Sequence, residues 1–384
     1  MSFNPEVFRW ARETAGLDLD AAAHAVGVVA ASLAAIERGE KDPSRTNLLN
    51  MAKAYRRSLL SLYAPTPPRR GDRGQDFRTV VADRSVGAEA GLDAMVRDIM
   101  ARHGLVRAIL QDDDDFKPLE FVGSFQTGVT VGGLAEAIEK LLGVTRIQYR
   151  AKRTADDAFG LLREQSERAG IFVILAGNLG SYHSTISVEA FRGFAIADNI
   201  APFIVINDGD ARAAWSFTLL HELAHLFIGA SGVSAGSPDM DIERLCNDVA
   251  AAFLLPRSDL QKIEIEGLSA TELIAAISEF SNRWHVSRQM VAYGLYKVGR
   301  ISLEGWKVLE KDIRELWAAE RHREKERAKE KKSAVSYYVV RRHRLGKAML
   351  DFARHYTDAG DLSPTKAAKV LGVKPRSVYP LLAA

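Results

Sequence analysis

His221-Glu222-Leu223-Ala224-His225 carries the side chains best suited to chemistry in this sequence. On a helix, residues four apart share a face, so His221 and His225 can present two imidazoles to one cation. Glu222 sits one residue on and can lean into the same cleft, where a carboxylate can take a proton from an attacking water. Imidazole ligands, an open coordination position and a carboxylate base are the parts a zinc hydrolase needs. HExxH arises by chance in roughly 1% of chains this long, so context decides. Here the motif lies inside Trp215-Ser-Phe-Thr-Leu-Leu-His-Glu-Leu-Ala-His-Leu-Phe-Ile, which reads as an amphipathic helix following a strand. Two histidines and a glutamate are poor occupants of so apolar a segment unless they hold something.

Catalytic zinc usually has three protein ligands. The third candidate is Glu243, opening Glu243-Arg-Leu-Cys-Asn-Asp-Val-Ala-Ala-Ala-Phe-Leu-Leu-Pro, with Asp239 and Asp248 as rivals. A helix from about 241 to Leu255, stopped by Pro256, would cross the first and aim Glu243 at the ion.

The elements that must position these residues can be read from pattern. Ile171-Phe-Val-Ile-Leu, Phe191-Arg-Gly-Phe-Ala-Ile and Phe203-Ile-Val-Ile-Asn are short β-rich runs, expected to pair as one small antiparallel sheet. The motif helix is expected over about 211–229. Residues 76–170 read as mostly helical, and 270–298 as a further helical stretch. Ala64-Pro-Thr-Pro-Pro-Arg-Arg-Gly-Asp-Arg-Gly reads as an extended linker. Beyond 304 the charge rises into Glu320-Arg-His-Arg-Glu-Lys-Glu-Arg-Ala-Lys-Glu-Lys-Lys, an exposed helix or tether. No internal repeat stands out.

The stretch from about 160 to 300 resembles the ImmA/IrrE family of zinc metallopeptidases. Arg192-Gly-Phe, Ile204-Val-Ile-Asn, Phe217-Thr-Leu-Leu-His-Glu-Leu-Ala-His and the Glu243–Pro256 run carry the resemblance, in the family's order. It implies that His221, His225 and Glu243 are the zinc ligands and Glu222 the catalytic base. It also implies that the substrate is a DNA-binding repressor, cleaved in a stress or mobile-element response. Two departures stand out. Cys246 replaces a usual alanine one turn past Glu243, where a thiol could compete for zinc or sense oxidant, or simply fill space. Gly294 replaces a usual arginine, leaving His285 and Tyr293 as nearby donors for a developing oxyanion.

Residues 6–63 resemble an XRE-type helix-turn-helix, through Ala11-Arg-Glu-Thr-Ala-Gly-Leu, Ala23-His-Ala-Val-Gly-Val and Leu33-Ala-Ala-Ile-Glu-Arg-Gly. Its recognition stretch, Val28-Val-Ala-Ala-Ser-Leu-Ala-Ala-Ile-Glu, offers only Ser32 as a polar side chain before Glu37, whereas base reading needs polar or cationic ones. Ser32, Arg38, Lys41 and Arg45 are the DNA-contact candidates. Arg9, Arg12, Lys53, Arg56 and Arg57 are further cations for phosphates, and docking on protein is the alternative use of the domain. Near the other end, Leu362-Ser-Pro-Thr-Lys-Ala-Ala-Lys-Val-Leu-Gly-Val-Lys-Pro-Arg-Ser-Val-Tyr looks like another short, basic helix-turn-helix, or a helical unit packing on the peptidase.

The reading is a mainly α protein with a small sheet (α+β). Its parts are a helix-turn-helix domain over 1–63, a linker and connecting helix over 64–100, a zincin-like peptidase over 101–303, and a charged helix with a helical C-terminal region over 304–384. A net charge of +3 is too small to name a partner. One cysteine excludes an internal disulfide framework and fits a reducing compartment. With no signal pattern or membrane span, a cytoplasmic location is expected; homodimerisation stays open. The expected function is a zinc endopeptidase coupled to transcription regulation. Its rivals are a regulator whose peptidase fold senses with little turnover, and an enzyme acting on a non-peptide amide.

Overall fold

The structure, a computed structural model, describes residues 3–68, 86–125, 129–180, 184–230, 240–330 and 336–383. The chain forms two compact units. Of the described residues, one gathers those in 3–68, 86–101 and 177–191; the other gathers those in 102–176 and 192–383. The linker read from Ala64 onward lies outside the described residues after position 68.

The first unit opens with four helices: α1 (Pro5–Glu13), α2 (Leu19–Val26), α3 (Ala30–Glu37) and α4 (Arg45–Ala54). Local chemistry sets their ends. The Asn4, Asp18 and Ser44 side chains accept backbone N–H bonds at the starts of α1, α2 and α4. Gly27, at φ +80°, closes α2 in the left-handed region. The chain then bends by 103° into α3, within the range of a helix-turn-helix. Phe8, Leu33, Ile36, Met51 and Tyr55 fill the core. Beside them Arg12 grips the buried Glu37 with two hydrogen bonds of 2.7 and 3.0 Å. Residues 177–191, read as part of the peptidase, belong to this unit, where an isolated bridge pairs Asn178 with Thr185. The long helix α5 (Val86–Gln111) belongs to the first unit up to Ala101 and to the second from Arg102.

In the second unit, α6 (Val131–Leu142), α7 (Arg146–Arg150) and α8 (Ala155–Arg168) precede β1 (Phe172–Leu175), β2 (Gly193–Ile196) and β3 (Phe203–Ile206). Every strand residue is buried, which is why these runs are continuously apolar. The sheet is mixed, correcting the antiparallel expectation. Its order is β1-β3-β2, with β1 parallel to β3 and β2 antiparallel to it. The reason is the length of the connections. A short turn after Ile196 folds β2 back on β3 as a hairpin, whereas residues 177–191 leave the second unit before the chain returns as β2. Asp198 fixes the short turn, accepting from the Ile200 and Ala201 N–H groups at 2.9 Å each and from Arg107 at 2.8 Å.

Next come α9 (Arg212–Ile228) and α10 (Met240–Leu254), then α11 (Arg257–Leu260), α12 (Ala270–Trp284), α13 (Arg288–Lys297) and α14 (Leu303–Glu330). The helical stretch read over 270–298 consists of two helices, with a break at His285, whose φ is +56°. Helix α9 packs on β2 and β3, and also meets α6, α8 and α10. It is buried on all sides from Thr218 to Phe227 rather than amphipathic as its sequence suggested. The chain ends in α15 (Tyr337–Leu345), α16 (Lys347–Ala359), α17 (Pro364–Val370) and α18 (Val378–Leu382). These belong to the same compact unit as the sheet. Glu167 of α8 accepts the N–H groups of Lys347 and Ala348, Arg163 donates to the His343 and Arg344 carbonyls, and Phe352 meets Phe172 edge-on. Among the described residues no single helix is long and apolar enough to cross a membrane.

Candidate metal centre

Helical spacing on α9 brings His221 and His225 together, with Nε2 atoms 3.0 Å apart. Helix α10 supplies Glu243, whose carboxylate oxygens lie 3.4 Å from His221 Nε2 and 3.2 Å from His225 Nε2. Both histidines are fully buried, and Glu243 is 18% exposed. Ligand atoms about 2.0–2.2 Å from a tetrahedral zinc lie roughly 3.3 Å from one another. All three observed separations fall close to that, and the three residues form a group able to hold a metal ion. Phe217 stacks against the His221 ring with 6.4 Å between centroids, helping to fix its orientation. Of the rival third ligands, Asp248 is exposed and is not part of the cluster, and Asp239 lies outside the described residues.

Glu222 is buried beside the pair, against β2. The strand gives it room through Gly193. A Cβ there would stand 2.4 Å from Thr218 Cγ2 and 2.9 Å from Glu222 Oε1. The sequence reading carried Gly193 only as one letter of a pattern, because its contact with α9 joins segments distant along the chain. Arg192 next to it lines a cleft of about 850 Å³, along with Phe217, Thr218 and Glu243.

Cys246, one turn past Glu243 on α10, is fully buried beside His225. Burial pushes the thiol pKa up, although His225 opposes the shift. Burial would depress the His225 pKa, but bonds to Cys246 and Glu243 outweigh it and lift the value well above the ordinary one when no cation is bound.

The two oxyanion candidates part company. Tyr293, 45% exposed, lines the cleft, as do Gly294 and Lys297 on the same helix. His285 does not. It is buried at the α12–α13 junction, its Nε2 sits 2.7 Å from the Lys152 carbonyl, and its own carbonyl accepts from Tyr149 at 2.8 Å. That placement ties His285 to the α12–α13 junction, while Tyr293 lines the cleft. Gly294 lets α13 approach α11, since a Cβ would stand 2.8 Å from Leu260.

Of the DNA-contact candidates, Lys41 donates to Ser32 at 2.9 Å, so these two share one surface, and Arg45 is exposed. Arg38 is tied to Glu40 by two bonds of 2.7 Å. Arg12 is committed to Glu37, and Arg57 lies over the Trp10 ring, where burial lowers its pKa to about 10.

Fold and site therefore define a two-unit protein, one unit a helix-turn-helix domain and the other a mixed-sheet, helix-rich domain with a two-histidine, one-carboxylate centre. Residues 167–296 match the peptidase family described as the IrrE N-terminal-like domain, and residues 6–60 match a helix-turn-helix domain family. The chain thus carries an IrrE N-terminal-like domain behind a helix-turn-helix domain. No curated protein and no solved structure matches it. The helix-turn-helix match points to DNA binding and the peptidase match to a protein substrate.

Proposed function

We propose that the protein is a zinc-dependent endopeptidase coupled to transcription regulation, which cleaves a DNA-binding repressor in a stress or mobile-element response. The observation that carries this reading is the convergence of His221, His225 and Glu243 at tetrahedral ligand spacing, with Glu222 on the same helix and a cleft alongside. His221, His225 and Glu243 would hold the ion, which supplies Lewis acidity when bound. Glu222, held in an apolar surrounding by the space at Gly193, takes the proton of the attacking water and returns it to the leaving amine. Tyr293, which lines the cleft, is the candidate donor to the oxygen on which charge develops. Lys297 and Arg192 bring positive charge to the same cleft in place of the arginine that Gly294 lacks.

Co-production with repressors encoded nearby, followed by mass spectrometry of fragments, tests the proposal. The wild type should yield a discrete cut, while Glu222→Gln should abolish it and retain its metal. No discrete cut by the wild type, or a cellular response unaltered by Glu222→Gln, would favour a regulator that senses without turnover.

A further inference from the structure

The C-terminal helices repeat the cap, turn and core spacing of the N-terminal helix-turn-helix. In the first copy, Asp18 caps α2 through the Ala21 N–H, Gly27 makes the left-handed turn and α3 begins at Ala30. In the second, Ser363 caps α17 through the Lys366 N–H, and Gly372 turns with φ +58°. A 3-10 turn at Pro375–Ser377 then leads into α18. Ala22, Ala23, Val26, Leu33 and Ile36 are buried around Gly27. Ala367, Ala368, Leu371, Val378 and Leu381 are buried at the same spacings around Gly372. So the sequence does contain a repeat, carried by small and aliphatic core positions rather than by extended identity.

The two copies differ on the face that a helix-turn-helix turns toward its ligand. Where the first presents Val29, Ala31, Ser32 and Ala34, the second presents Lys374, Arg376, Ser377 and Tyr379. Lys374, Arg376 and Tyr379 are exposed, as are Lys366 and Lys369 on α17. None of the four cations has an ion-pair partner among the described residues, and no acidic residue follows Asp361 in the sequence. The motif is also held firmly. Arg341 of α15 donates to the Leu371 and Gly372 carbonyls at 2.6 and 2.9 Å, and Arg342 donates to the Pro380 and Leu381 carbonyls at 2.8 Å each.

We propose that residues 363–382 form a second helix-turn-helix that binds duplex DNA and supplies sequence discrimination that the methyl-lined N-terminal copy lacks. In this assignment the 3-10 turn at Pro375–Ser377 and α18 after it enter the major groove, and Arg376 reads a base edge, with guanine its best partner. Lys366, Lys369 and Lys374 hold phosphates on either side. A-form RNA, with its narrow major groove, does not fit the same face.

The test selects from a randomised duplex DNA library with the full-length protein, then measures anisotropy with the selected duplex and its scrambled counterpart. A motif should be enriched. Arg376→Ala should cut the preference for the selected duplex about tenfold, with an unchanged melting midpoint. Lys366→Ala with Lys369→Ala should weaken both duplexes alike and reduce the salt slope by about two. Ser32→Ala with Lys41→Ala should leave the preference intact. The proposal is overturned if no motif is enriched, if Arg376→Ala keeps the preference, if the preference follows Ser32 and Lys41 instead, or if only single-stranded RNA is bound.

Discussion

Glu222 occupies space that exists because β2 carries glycine rather than alanine at position 193. A Cβ at Gly193 would press on Thr218 and on the Glu222 carboxylate together, and neither can retreat through the core of α9. Gly193→Ala should therefore cost about 1–3 kcal/mol of stability through overpacking. It should lower turnover by about a hundredfold through displacement of the base, while the zinc content stays that of the wild type. Denaturant titration, kinetics and metal analysis on one preparation check all three. Full activity in this variant would mean that Glu222 does not depend on that approach. The histidine pair was legible in the sequence because helix geometry alone fixes an i, i+4 relation. Glu243 was legible only with the family pattern, and Gly193 not at all, since its role is a close contact between a strand and a helix that spacing does not encode. The place of His285 was not legible either: it is near Tyr293 in sequence, yet at the left-handed break before α13 its ring meets the Lys152 carbonyl.

Two elements rest on buried or half-buried charge. In the helix-turn-helix, Arg12 holds Glu37 at the end of α3, so Glu37→Ala leaves a largely buried guanidinium without its carboxylate. The expected loss is about 3 kcal/mol for the first unit, seen as an earlier thermal transition. A change within experimental error would show that water replaces the carboxylate readily. At the β2–β3 turn, burial works to raise the Asp198 pKa, but the Ala201 and Ile200 N–H groups and Arg107 outweigh it and hold the carboxyl below its ordinary value. A carboxylate depressed in the folded state stabilises above its unfolded pKa, near 3.8, and that contribution disappears as pH falls through the lower folded value. Asp198→Asn should thus cost about 1–3 kcal/mol at neutral pH, with the gap to wild type closing only below about pH 4. A pH-independent gap would contradict the assignment. The three strands themselves were legible as apolar runs bounded by turn residues. Their mixed order was not, because it depends on residues 177–191 leaving the unit before β2 begins.

Over the whole molecule, the sequence pointed to helix-turn-helix character at both ends and a metal centre between them. What it concealed was how the parts are grouped. The helices beyond 336 are fastened to β1 and α8 by Arg163, Glu167 and Phe352, contacts that no local pattern announces. The N- and C-terminal motifs share their buried positions but not their exposed ones, so the repeat became visible only with burial in hand. The central claim remains that α9 and α10 together make a zinc site. Metal analysis of the purified full-length protein, set beside Glu243→Ala, tests it most directly. One zinc per chain is expected in the wild type and a large loss of zinc in the variant, with both proteins folded. No bound metal in the wild type, together with failure of added zinc to bind, would contradict it.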